Sequence, residues 1–211
     1  MHASPLSFEK AAAAVVPDRY PLSPNGIVLG MSGSEIRDYD AEFWRLEEIH
    51  LRRRFAERVK PRLQDGTIPH VSIFAIAPQP LLIQLGFLLS DIPSAEVFQL
   101  HREPPDWKWQ TLSESCAFVI EEPALTSGAD PALILSLSAT IDPSRLRAVL
   151  GQEIPLWTVS IPEPHNDFLK SREQLRYFRS VIRRLMDRIK AVHGENATIR
   201  LFCTQLGCHL H

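Results

Sequence analysis

The stretch HVSIFAIAPQPLLIQLGFLLSD, residues 70–91, decides how the rest of the chain is read. Val71, Ser72, Ile73, Phe74, Ala75 and Ile76 form a short apolar run rich in β-forming residues, which predicts a strand buried on both faces. Ala77, Pro78, Gln79 and Pro80 stop it, because proline has no N–H to give to a sheet. Pro80 suits the first turn of a helix, where a missing N–H is no loss. Leu81, Leu82, Leu85, Leu88 and Leu89 then recur at helical spacing, Gly86 leaves room for close packing, and Asp91-Ile92-Pro93 ends the helix. The result is strand, tight turn, helix. Unpaired backbone N–H groups at such a helix start attract phosphate or another anion. An ordinary β-α unit of an α/β core, with nothing bound at its turn, has the same pattern.

Composition bounds the rest. A chain of 211 residues, 45% hydrophobic and 23% charged, is that of an ordinary globular protein with one generous core or two small ones. A formal net charge of -2 argues against coating nucleic acid, which requires a basic footprint, but leaves room for a small anion held locally. Three cysteines without framework spacing point to a reducing compartment, and 17 prolines to stiffened loops. No apolar run reaches the length of a membrane span, and no secretory leader is visible, so the expected location is cytoplasmic.

Residues 1–33 read as a leader of weak order, broken by Pro17, Pro21, Pro24, Gly26, Gly30 and Gly33, with a short helix over Ser7–Val16 and a brief strand over Gly26–Gly30. Residues 34–60 predict a helix with an apolar stripe of Phe43, Leu46, Ile49, Phe55 and Val59. Its Arg52, Arg53, Arg54 and Arg58 suit a solvated face near the helix's negative end, with contact to a polyanion as the alternative. Further strands are predicted over 96–102, 116–121, 133–141, 154–161 and from 198. Asp142 and Pro143 open a short helix to Gly151, and residues 166–193 form the longest helix, closed by a left-handed Gly194. Trp107 and Trp109, two residues apart in an extended segment, share one face.

The run above, followed by VFQLHREPPDWKW, resembles the first half of SAVED domains, the cyclic-oligonucleotide sensors of bacterial CBASS and CRISPR-linked anti-phage effectors. The pieces FAxAPxPLLIxLG, QLHR and W-x-W occur in order, and the resemblance extends from Phe43 to the C-terminus. It implies an α/β fold of two fused CARF-like, Rossmann-type halves within residues 34–211. The second half is expected to be incomplete, since the chain stops in CHLH, where the family continues into another strand–proline–helix unit. The resemblance also implies a cyclic di- or trinucleotide ligand, head-to-tail homo-oligomers on ligand binding, and activation of a fused or partner effector such as a nuclease. No HNH motif precedes the domain here.

Open α/β sheets bind ligands beyond the carboxyl ends of their strands. The binding candidates are therefore Pro78, Gln79 and Pro80 at the turn, Arg102 for a phosphate, Lys108 as a point charge, and Trp107 or Trp109 as a plane for a base. Arg102 equally suits a structural ion pair with Glu103 or a neighbouring acid, and at least one of the tryptophans is expected to belong to the core. Cys203, Cys208, His209 and His211 are zinc-ligand types, but the spacing is no common finger and the segment reads as a strand, so no metal is expected. There is no G-x-S-x-G elbow, P-loop or G-x-G-x-x-G, hence no recognisable catalytic set and no expected cofactor. The chain reads as a binder rather than an enzyme, with no sequence-specific nucleic-acid binding. A ring nuclease acting on the cyclic ligand and a ligand-free scaffold using the arginine-rich long helix are the alternatives.

Overall fold

The computed structural model describes residues 6–30, 41–90, 92, 95–111, 116–124, 130–151 and 153–203. The chain divides into two compact units, Met1–Lys108 and Trp109–His211.

The first unit opens with α1 (Phe8–Val15), whose Ser7 cap accepts from the Lys10 N–H and whose Ala14 and Val15 are buried. Residues 26–30 form no strand, correcting that expectation. Helix α2 (Ala41–Arg58) buries Phe55, and Val59 is buried just past its end, but Ile49 is exposed, so the apolar stripe is narrower than its spacing predicts. Val59 begins a break, after which Pro61 sits in the first turn of the short α3 (Lys60–Gln64). The basic cluster is mostly neutralised within the unit. Arg52 meets Glu48 at 2.9 Å and Gln84 at 3.2 Å, Arg53 meets Glu57 at 2.7 Å, and Arg54 donates to the Gly30 carbonyl. It is a paired helix face.

Strand β1 (Val71–Phe74), helix α4 (Gln79–Leu88) and strand β2 (Ala95–Phe98) follow, and β1 and β2 pair in parallel from Val71↔Ala95 to Phe74↔Phe98. A parallel pair needs a crossover, which α4 supplies. The strand–turn–helix reading is therefore met, with one correction: β1 is half-buried along its whole length rather than buried on both faces. Strand β2 is shorter than expected, because the His101 N–H turns away to the Asp106 carbonyl at 2.8 Å.

The second unit is a four-stranded sheet of order β3 (Val119–Glu121), β5 (Leu156–Ser160), β4 (Ala132–Ser136), β6 (Arg200–Cys203). Strands β4, β5 and β6 run in parallel, and β3 is an antiparallel edge. The central β4 is buried on both faces, as its apolar sequence predicts. One face, with Leu133, Trp157 and Val159, packs with Leu185 and Ile189 of α6 (Arg172–His193). The other, with Ala132, Ile134 and Leu156, packs with Leu146 and Leu150 of α5 (Pro143–Leu150). Helices on both faces of a mostly parallel sheet are the α/β arrangement.

Helix α5 has the predicted Asp142 cap, Pro143 start and Gly151 end. The Ser144 backbone N–H holds the Asp142 carboxyl below its ordinary range. Helix α6 starts later than its apolar spacing predicts. Ser171 and Gln174 form a reciprocal capping box, and Phe168 and Leu169 are buried in the core ahead of the helix. Gly194 closes it with φ +90° and ψ 165°, a glycine conformation but not the expected left-handed helical one. Burying each of Val181, Leu185 and Ile189 contributes about 1.5–3 kcal/mol. An exposed pair such as Arg176–Glu173 contributes about 0.2–1 kcal/mol, so the apolar stripe anchors α6. Buried Trp157 donates its indole N–H to His193 Nε2 at 3.0 Å, tying β5 to the end of α6. No helix among the described residues is long and apolar enough to cross a membrane.

Candidate functional site

The site is built by the parallel register of the first unit. Because Phe74 lies opposite Phe98, β1 and β2 end together, and the turn 75–78 and the loop 99–106 leave from the same edge. Aromatic packing seals the sheet beneath. Phe74 stacks on Phe98 with centroids 4.6 Å apart, and Trp107 meets Phe74 edge-on at 5.3 Å.

At the turn, Pro78 is the N-cap of α4, with no side-chain cap, and Pro80 lies in the first turn. The expected row of open amide donors is reduced. Pro78 and Pro80 have no N–H, while Leu81 and Leu82 donate to the Pro78 carbonyl at 3.0 and 3.2 Å. What the turn presents is Gln79, half-buried, and the positive end of a short helix.

The loop after β2 is closed by the His101–Asp106 backbone bond, and Asp106 Oδ1 accepts from the N–H groups of Trp107 at 2.7 Å and Lys108 at 3.3 Å. This closure places exposed Arg102 near one end and exposed Lys108 near the other. His101 itself is buried at 1% exposure, which its place in an alternating QLHR run did not announce.

The tryptophans are a correction. Trp107 is 1% and Trp109 8% exposed, with exposed Lys108 between them. Both are buried, so neither ring is presented for stacking on a base. Trp109 also belongs to the second unit. In the first unit Pro78, Gln79 and Pro80 thus follow β1 and Arg102 follows β2 at the same edge, with Lys108 just past that loop and Trp107 buried against Phe74.

Among the described residues, no three His, Cys, Asp or Glu side chains stand close enough to hold a metal. Of the four zinc-ligand types in the tail, Cys203 lies on β6, where burial pushes its thiol up; Cys208, His209 and His211 lie outside the described residues.

A family model, described as the SMODS-associated and fused to various effectors sensor domain (SAVED), matches residues 51–205. The chain belongs to the SAVED family. The match takes in β1, α4 and β2 of the first unit and all the elements of the second. SAVED domains are sensor domains of effector proteins in anti-phage signalling, and they bind cyclic oligonucleotides. A comparison with curated proteins finds no match.

Proposed function

We propose that this SAVED chain binds a cyclic di- or trinucleotide at the carboxyl end of the β1–β2 pair. In this reading, binding promotes self-association that activates a fused or partner effector in the cytoplasm. The observation that carries the reading is the parallel β1–β2 register inside the matched stretch, which sets the Pro78–Pro80 turn beside the loop bearing Arg102 and Lys108. Two exposed cations at the carboxyl ends of parallel strands suit the phosphates of a small cyclic ligand. Gln79 suits a base edge or ribose. The β-α-β order of the first unit and the helix-covered, mostly parallel sheet of the second support two Rossmann-type halves within residues 34–211, with 1–33 as a leader.

Calorimetric titration with a panel of cyclic di- and trinucleotides tests this. One member of the panel is expected to give saturable heat. Arg102→Ala is expected to weaken that binding and to lower the slope of log affinity against log salt by about 0.7–0.9, the effect of one phosphate contact. Flat titrations across the panel would leave the scaffold reading. An unchanged salt slope would assign Arg102 to an internal ion pair.

A further inference from the structure

The second unit carries a cleft of about 270 Å³ between β3 and α6, and the inference drawn from it is independent of the cyclic-nucleotide reading. Its floor is apolar, with Phe118 and Ile120 from the β3 segment and Val181 and Leu185 from the helix. Tyr177 walls one side, its ring 5.6 Å from that of Phe118.

Two features show what the cleft is suited to hold. The first is the strand. Among the described residues β3 is the edge of its sheet, paired only with β5, and Val119 and Ile120 are 46% and 42% exposed. Edge strands are usually blunted by short length, charged side chains, proline or a covering element. Val-Ile-Glu is short and carries Glu121, but it has neither proline nor lysine, and its two apolar side chains stay exposed. An open edge of this kind accepts an added extended strand through its backbone.

The second feature is charge. Arg188 is engaged with Glu122, at 3.3 Å. Arg184 donates Nε to the Ser180 carbonyl of its own helix at 3.2 Å, and among the described residues it meets no carboxylate. The cleft therefore pairs a greasy floor with one guanidinium that, among the described residues, has no acid. A single carboxylate on an extended chain fits that set, one acid for the guanidinium that stands beside the Arg188–Glu122 pair.

We propose that this cleft docks an extended acidic segment of a partner protein, pairing with the β3 edge, laying apolar side chains over Phe118 and Ile120, and giving a carboxylate to Arg184. Alternate residues of the segment face the cleft, since side chains of a strand alternate.

The test is fluorescence anisotropy of the full chain with the labelled peptide Val-Thr-Val-Thr-Glu-Thr-Glu and its counterpart with lysine for glutamate. The glutamate peptide is expected to bind saturably and the lysine peptide not. Arg184→Glu is expected to weaken the glutamate peptide at least about tenfold and to bind the lysine peptide instead, since a charge-assisted bond becomes a repulsion. Arg184 is exposed, so an unchanged melting temperature separates this loss from unfolding. Several results would overturn the proposal: equal binding of both peptides, an Arg184→Glu chain that binds like the wild type, or no saturation by about 1 mM peptide. Complete displacement by inorganic phosphate would reduce the cleft to a plain anion site. A wild-type mass that doubles without peptide, and returns to monomer in Arg184→Glu, would give the face to a second copy.

Discussion

His70 enters β1 with its imidazole largely out of water, near Arg19, and with Nε2 3.9 Å from a Glu96 carboxylate oxygen. Burial is the main influence and lowers its pKa; Arg19 lowers it further, and Glu96 opposes both. The unfolded chain titrates this group near about 6.5. As pH falls through that value the unfolded state takes up the proton first, so stability falls until the lower folded-state value is passed. Above the unfolded value the contribution is fully present. Following the urea midpoint from about pH 7.5 down to about pH 5 should show a steeper decline in the wild type than in His70→Gln, because only the former titrates there. Coincident curves would show that other histidines carry the acid sensitivity.

At the scale of elements, α6 depends on its first turn. Ser171 is fully buried, its hydroxyl accepts from the Gln174 N–H at 3.2 Å, and Gln174 Oε1 accepts from the N–H groups of Lys170 at 2.6 Å and Ser171 at 3.2 Å. Ser171→Ala should destabilise the chain by about 1–2 kcal/mol in urea unfolding, and Ser171→Gly by only a few tenths. A loss no larger than that of an exposed alanine substitution would remove the box from the account. The same turn shows where the sequence was legible. Punctuation by caps and prolines located α1, α4 and α5 closely, because Ser7, Pro78–Pro80 and Asp142-Pro143 act on their own backbone. Periodicity was weaker evidence. Phe168 continues the spacing of α6 yet is buried as an approach to it, since the capping box fixes the start downstream. Periodicity likewise paired Trp107 and Trp109 but could not tell that both are buried. Trp107 is held by Phe74, a residue far off in sequence.

At the scale of the whole molecule, the question is how copies meet. Helix α6 keeps Arg176, Arg179, Arg183 and Arg184 exposed, while Val181, Leu185 and Ile189 hold it to its sheet. An arginine row of this kind suits an acidic pair such as Glu121-Glu122 on another copy. Glu122 is instead held by Arg188 of its own chain, which leaves Glu121, without an ion pair among the described residues, as the acid of that pair for a neighbour. Contacts made by exposed charges are screened over about 8–10 Å at ordinary salt. An assembly built on them therefore loosens as salt rises. If a cyclic nucleotide drives self-association, adding whichever member of the panel binds should raise the mass measured by light scattering. Moderate salt should lower it again, with Arg179→Glu/Arg183→Glu weakening assembly while ligand affinity stays as it was. Head-to-tail contacts can run on into open chains, so the mass should keep rising with protein concentration, whereas a two-fold contact stops at the dimer. A mass unchanged at saturating ligand would remove self-association from the proposal. An assembly indifferent to salt and to both arginines would place the contact on an apolar face, and the exposed Ile83 and Phe87 of α4 would be the next residues to replace.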